Sequence, residues 1–147
     1  MLNIYENQWH RCYPLSKEEI SDVEKRMQIK IPNELQALFL NCNGGKPKKT
    51  YFSNDSIEVE VGSLLPVRPP EIHKGESFEA AYERLIRSGL SCKLLPFAFD
   101  NGNSGIFCLD VDSNEIFYWV LDTLDEPLKK VTSSLQDFIN NLVFPPY

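Results

Sequence analysis

Three short apolar segments separated by two tight turns limit the folds that this chain can adopt. They occupy residues 94–99, 106–111 and 115–121, and they are rich in aromatic, leucine and β-branched side chains. The links at residues 100–102 and 113–114 carry Asp, Asn, Gly and Ser, which tolerate the backbone angles of short turns. Strands this close together must pair as an antiparallel meander, because a parallel pair needs a long crossover connection.

Two helices are predicted before the meander. Ser16 and Glu19 have the spacing of a capping box, so Ser16 should cap a helix of about three turns. Pro32 suits the first position of a second helix, because its missing N–H would have no partner there. Asn43 and the two glycines after it end that helix, since glycine accepts the left-handed backbone common at helix C-termini.

One further strand and two further helices complete the predicted fold. Residues 57–61 alternate between apolar and acidic side chains, as in a strand with one wet face. A third helix is predicted over residues 77–87 and a fourth from about Ser134, each with an apolar stripe. The fold class is therefore α+β: a single domain over residues 1–147, with helices packed around a mixed, mainly antiparallel sheet.

The acids are concentrated in the region of the meander. The net charge is −6, yet residues 94–128 hold seven acids and no lysine or arginine. A stiff sheet would hold these acids in fixed positions, where their charge could attract a basic partner. The alternative is that the acids only keep the protein soluble. The acids predicted to bind a partner are Asp100, Asp110, Asp112, Glu115, Asp122, Asp125 and Glu126.

Two aromatic residues accompany these acids. Tyr118 and Trp119 are adjacent in a predicted strand, so alternation directs their rings to opposite faces. One interpretation is a central strand that is covered on both faces. The other leaves Tyr118 or Trp119 partly exposed beside the acids, as an anchor for a partner protein.

Composition argues against several classes of function. A pI near 4.9 disfavours direct binding of nucleic acid, which needs a basic surface. No apolar run is long enough to cross a bilayer, and the N-terminal residues lack the pattern of a secretory signal. Four cysteines without a Cys-x-x-Cys spacing are then typical of reduced thiols, so we expect a cytoplasmic protein.

No motif in the sequence supports catalysis, a metal or a cofactor. Asp110, Asp112 and Asn114 imitate the start of a calcium loop, but its sixth position, which requires glycine, is Glu115. The two histidines lack the ligand spacing of a zinc site. The glycine-bearing residues 101–105 lead into a strand, whereas a phosphate loop leads into a helix. We therefore predict neither an enzyme nor a cofactor.

Several pieces of the sequence occur in the order typical of one known family. They are residues 20–24, 31–35, 43–45, 95–100, 106–110, 118–122 and 134–139, which together span residues 16–143. Among them are the Ile31-Pro32 helix start, the Asn43-Gly44-Gly45 helix end and the Leu95-Pro96-Phe97-Ala98 strand that ends in Asp100. In this order they resemble the SUKH superfamily, the domain of bacterial immunity proteins and of fungal regulators of cell-wall glucan synthesis. Residues 103–105 depart from the family's usual Gly-Asp.

The resemblance implies a non-enzymatic α+β domain, and many bacterial members are implied to bind and neutralise the toxin encoded beside them. We therefore predict an immunity protein whose acidic surface binds a cognate, basic toxin, for which a nuclease is one candidate. The alternative is a regulatory or scaffold domain of the cell-wall-synthesis type. No direct contact with nucleic acid or membrane is expected, and the chain is predicted to be a monomer or a weak homodimer.

Overall fold

Six strands form one antiparallel sheet in the computed structural model, which describes residues 7–121 and 128–147. Four helices and a separate two-stranded sheet accompany it in the described part of the chain. In chain order the elements are β1 (Trp9–His10), α1 (Lys17–Met27), α2 (Asn33–Cys42), β2 (Lys46–Pro47), β3 (Tyr51–Ser53), β4 (Glu58–Leu64), α3 (Phe78–Arg87), β5 (Leu94–Asp100), β6 (Gly105–Asp110), β7 (Ile116–Val120), β8 (Leu128–Thr132) and α4 (Leu135–Asn140).

Strand order in the large sheet follows chain order. The strands lie in the order β3-β4-β5-β6-β7-β8, and each pairs antiparallel with its neighbours. β1 and β2 pair antiparallel in the small sheet. The predicted α+β class is confirmed. The sheet was expected to be mixed, whereas every pairing between described strands is antiparallel. For β5, β6 and β7 the reason is that their short links leave no room for a crossover.

The two central strands are buried along most of their length. The first five residues of β5 and of β6 are all buried. Phe97 and Phe107 from these strands meet Phe138 of α4, with ring centres 5.0–6.5 Å apart. α4 therefore covers the face of the sheet to which these two rings point.

The other face of the sheet is covered by α3. The register places Phe107 opposite Tyr118 and Ile106 opposite Trp119. The Arg84 guanidinium of α3 lies over the Trp119 ring, 5.7 Å from its centre. Because neighbouring residues of a strand point to opposite faces, α3 and α4 lie on opposite sides of β7. This double cover explains why β6 shows no apolar–polar alternation.

Serine side chains cap the starts of three helices, and the cap at Ser16 was predicted from the sequence. Ser16 Oγ accepts a hydrogen bond from the Glu19 N–H at 3.1 Å, and the Glu19 carboxylate accepts one from the Ser16 N–H at 3.0 Å. Ser77 and Ser134 cap α3 and α4 through their side-chain oxygens. α2 starts one residue later than predicted, because Pro32 is its N-cap.

Four strands were not predicted from the sequence. β1, β2 and β3 have two or three residues each, too short for a periodic signal. β8 has five, but two exposed lysines are followed by two buried residues, so alternation is absent. The strand predicted at residues 57–61 is β4, which runs further, through an irregularity at Gly62 between Val61 and Ser63.

Candidate protein interface

The turn between β6 and β7 gathers three of the predicted acids. We call residues 110–115 the acidic turn; it carries Asp110, Asp112 and Glu115. Asp110 Oδ1 accepts hydrogen bonds from the N–H groups of Asp112 at 2.9 Å and Ser113 at 3.4 Å. Asn114 has a φ of 63°, which asparagine tolerates, and its N–H donates to the Asp110 carbonyl at 2.7 Å. The acids are therefore held in a closed, internally bonded turn.

Neighbouring lysines anchor the acidic turn and partly neutralise it. The Val111 N–H donates to the Lys93 carbonyl at 2.9 Å, and Lys93 Nζ lies 3.9 Å from Asp112 Oδ1. Lys130 Nζ lies 2.5 Å from Glu115 Oε2, and this hydrogen bond lowers the pKa of the Glu115 carboxyl. Lys93 and Lys130 lie just outside residues 94–128, the segment without lysine or arginine, and each pairs with one of its acids. This corrects the expectation of an acidic surface without neighbouring positive charge. The Asp112 side chain is still 70% exposed, so its pair contributes little.

Asp100 lies apart from the acidic turn. It ends β5, and the six residues of β6, about 20 Å of extended chain, lie between its turn and the acidic turn. Its carboxylate accepts hydrogen bonds from the Ser104 N–H and hydroxyl, both at 2.8 Å, and from the Tyr118 hydroxyl at 2.5 Å. The single acidic platform expected from the sequence is therefore divided, because successive turns of a meander fall at opposite ends of its strands.

The two predicted aromatic anchors have structural roles. Trp119 is 6% exposed, so it belongs to the core, which corrects its prediction as an anchor. Tyr118 is partly buried, and burial together with its hydrogen bond to Asp100 raises its pKa to about 12. The other three acids predicted to bind a partner, Asp122, Asp125 and Glu126, lie outside the described residues.

Two clefts flank the acidic turn. One has a volume of about 520 Å³ and is lined by the link between α1 and α2, by Tyr82 and by Val111 of the turn. The second, of about 440 Å³, is lined by Ser113 of the turn and by the N-terminal ends of α2 and α4. Pro32 and Asn33 line both clefts and separate them. Sequence reasoning missed the clefts, because their walls come from segments far apart in the chain and carry no local motif.

Other chemistry has little support in the described part of the chain. Within residues 7–121 and 128–147, no group of His, Cys, Asp or Glu side chains is arranged to hold a metal ion. None of the helices described is long and apolar enough to cross a membrane. The four cysteines are free, and burial raises the pKa of the Cys42 thiol to about 12 and raises that of Cys108 as well. Such thiols are poor nucleophiles, because the thiolate is the reactive form.

Comparison with known sequences identifies the family. Residues 14–141 match the sequence model of the SMI1 / KNR4 family (SUKH-1). The chain belongs to this family, and the SUKH resemblance predicted from the sequence is confirmed. One relative is the immunity protein YxxD of Bacillus subtilis (strain 168), which is 24% identical over 153 aligned residues that cover 95% of each chain.

Proposed function

We propose that this chain is an immunity protein that binds and neutralises a cognate toxin through the acidic turn and its two clefts. The observation that carries the proposal is an internally bonded turn with exposed carboxylate, fixed to a buried sheet and flanked by concave surfaces. Family membership and similarity to a protein named as an immunity protein support it. A rigid charged feature beside concave surfaces is suited to a protein partner, since buried anchors supply affinity and surrounding charges supply specificity.

The toxin surface that meets the turn is basic in this proposal. Asp112 is exposed at the tip, and the whole chain has a net charge of −6, so opposite charge on the partner would raise the association rate. A toxin that acts on nucleic acid fits this requirement, because phosphate binding needs lysine and arginine. Binding there would cover the groups that the toxin needs for its substrate.

The proposed function needs no catalysis, and we place it in the cytoplasm. Free cysteines fit a reducing compartment, where disulfides are rare. The raised pKa values of Cys42 and Cys108 leave these thiols unsuited to nucleophilic chemistry. In this proposal the acidic turn and its two clefts neutralise the toxin by covering part of the toxin's surface.

Co-expression with the product of the adjacent open reading frame tests the proposal. We expect that product to arrest growth alone, and this chain to restore growth and to co-purify with it. Persistent arrest without a complex would contradict the proposal. Stable capture of a non-toxic protein of cell-wall synthesis would instead support the regulatory or scaffold alternative.

A charge reversal tests the role of the acidic turn within the complex. Asp112→Lys should slow association with the toxin about fivefold at low salt, and the difference should shrink as ionic strength rises. Glu71→Lys is the matched control, since it makes the same change of net charge in an exposed loop beside α3. Stopped-flow association rates make the comparison. Equal slowing by both variants would show that only net charge matters and would reject the turn as the docking site.

A further inference from the structure

A third cavity, at the opposite end of β6 from the acidic turn, has a different chemistry. It has a volume of about 320 Å³ and lies beside the turn that joins β5 and β6. Its walls also include the link between β1 and α1, the strand β2, the irregular part of β4 and the loop before α3. We call it the cationic pocket, for the two residues Arg11 and Lys46 that line it.

The two cations of this pocket form no close ion pair with the described acids, although Lys46 interacts electrostatically with Glu60. Arg11 and Lys46 form no ion pair with any acid of residues 7–121 and 128–147. In a chain with a net charge of −6, Arg11 and Lys46 outnumber Asp100, the acid among the residues that line the pocket. A concave site with low-dielectric walls concentrates that field.

Two further polar side chains line the same walls. Asn101 contributes an amide, one N–H of which donates to Glu60 Oε1 at 3.3 Å and leaves the second for a ligand. His73 contributes an imidazole whose Nδ1 lies 3.0 Å from the Tyr13 hydroxyl. His73 Nε2 is buried and has no hydrogen-bond partner within the described residues. One ring nitrogen beside the pocket therefore has unused hydrogen-bonding capacity.

The acids nearest the pocket are engaged by other groups. Asp100 lines it, but its carboxylate is bonded within its own turn and to β7. The Glu60 carboxylate accepts hydrogen bonds from the hydroxyls of Thr50 and Tyr147. Hydrogen bonding from Tyr147 lowers the pKa of Glu60, although burial opposes this. The charge that faces the pocket is therefore mainly that of Arg11 and Lys46.

The backbone of the pocket includes rare conformations. Arg11 has a φ of 62°, in the left-handed region that a residue with a side chain seldom adopts. Gly44 has a φ of 71°, and a Cβ on it would collide with Tyr13 and Pro66. Glycine adopts such an angle without strain, but Arg11 does not, and strained residues cluster at binding sites, where the surrounding structure holds a side chain in a required place.

We propose that the cationic pocket binds an oxyanion of the phosphate class, carried by a small molecule. Arg11 and Lys46 supply charge-assisted hydrogen bonds, and Asn101 and His73 supply further hydrogen bonds. A phosphate group offers more acceptor oxygens than a carboxylate, so it can engage these donors together. The pocket lies away from the acidic turn, so the two proposals stand or fall separately.

Titration of the full chain with inorganic phosphate tests the proposal, with backbone amide shifts as the readout. We expect saturable shifts confined to the segments that form the pocket. Arg11→Gly should weaken phosphate binding about tenfold, because it removes a charge-assisted donor. The variant should stay folded, since glycine accepts a φ of 62° without strain. Glu60→Gln should strengthen phosphate binding about threefold, because it removes a negative charge near the pocket. Misfolding of the variant could not produce a higher affinity.

Lys48→Ala is the matched control, because Lys48 is exposed close to Lys46 in sequence but does not line the pocket. Its phosphate affinity should equal that of the unaltered chain. Equal losses in Lys48→Ala and Arg11→Gly, or shifts spread over the surface, would overturn the proposal. A second titration uses acetate in place of phosphate. If acetate binds as tightly as phosphate, the pocket does not select the phosphate class.

Discussion

Gly105 begins β6 directly beneath the ring of Tyr118. A Cβ at this position would overlap the ring and hydroxyl oxygen of Tyr118, so glycine is required for space and not for a positive φ. The absent side chain lets the ring lie close to the backbone while its hydroxyl donates to Asp100 at 2.5 Å. This residue therefore fixes Tyr118 and, through it, the turn between β5 and β6.

Replacing this glycine tests the contact. Gly105→Ala should lower the free energy of unfolding by about 2 kcal/mol, because the ring must move or the strand must shift. Gly102→Ala is the control in the same turn, since its Cβ would meet only Ser104 Oγ at 3.8 Å. Urea unfolding measures both. In a Tyr118→Ala background the effect of Gly105→Ala should fall sharply, and an unchanged effect would show that the ring is not its cause.

Single-residue roles were only partly predictable from the sequence. Alternation correctly placed the rings of Tyr118 and Trp119 on opposite faces of the strand. Which ring would be covered depends on Gly105 across one strand pair and on Arg84 in a distant helix. Such cross-strand and cross-layer contacts have no signature in the local sequence.

At the scale of elements, the ion pair between Glu115 and Lys130 joins the acidic turn to β8. The hydrogen bond from Lys130 lowers the pKa of Glu115 in the folded state. The resulting stabilisation is therefore present above the unfolded pKa, about 4.3, and is lost as pH falls through the lower folded pKa. Acid should loosen the attachment of β8 to the turn.

A carboxyl titration measures this effect. The Glu115 side-chain carbon, followed by NMR, should titrate below the range of an unpaired glutamate, and Lys130→Met should move its midpoint upward. Lys129→Met removes the adjacent lysine of the same strand and should leave the midpoint unchanged. Equal midpoints in the Lys130→Met variant and the unaltered chain would mean that the ion pair does not form in solution.

Elements with local signals were predicted well. The starts of α1, α3 and α4 were predicted to within one residue, and at α1 the cap itself was predicted, because it is made by residues three apart. β5, β6 and β7 were placed to within about two residues, because turn residues bound them. β3 and β8, at the edges of the sheet, were missed, since one is short and the other lacks alternation.

At the scale of the whole molecule, Phe138 joins α4 to three different strands. Its ring centre lies 5.5 Å from that of Phe52, 6.1 Å from Phe97 and 5.0 Å from Phe107. Phe138→Ala should lower the free energy of unfolding by about 4 kcal/mol, because it leaves a cavity in the core. Phe144→Ala, at a ring 56% exposed, should change it by less than about 1 kcal/mol. Thermal and urea unfolding compare the two, and similar losses would contradict the assignment of α4 to the core.

Because strand order in the large sheet repeats chain order, most of its strand partners are close in sequence. Closing a short loop between successive strands loses little chain entropy. Hairpins can therefore form early in folding and join the large sheet one after another. We expect rapid refolding after dilution from denaturant for a chain of 147 residues. A newly synthesised copy would then be able to bind soon after it leaves the ribosome, which is what the proposed immunity role would require.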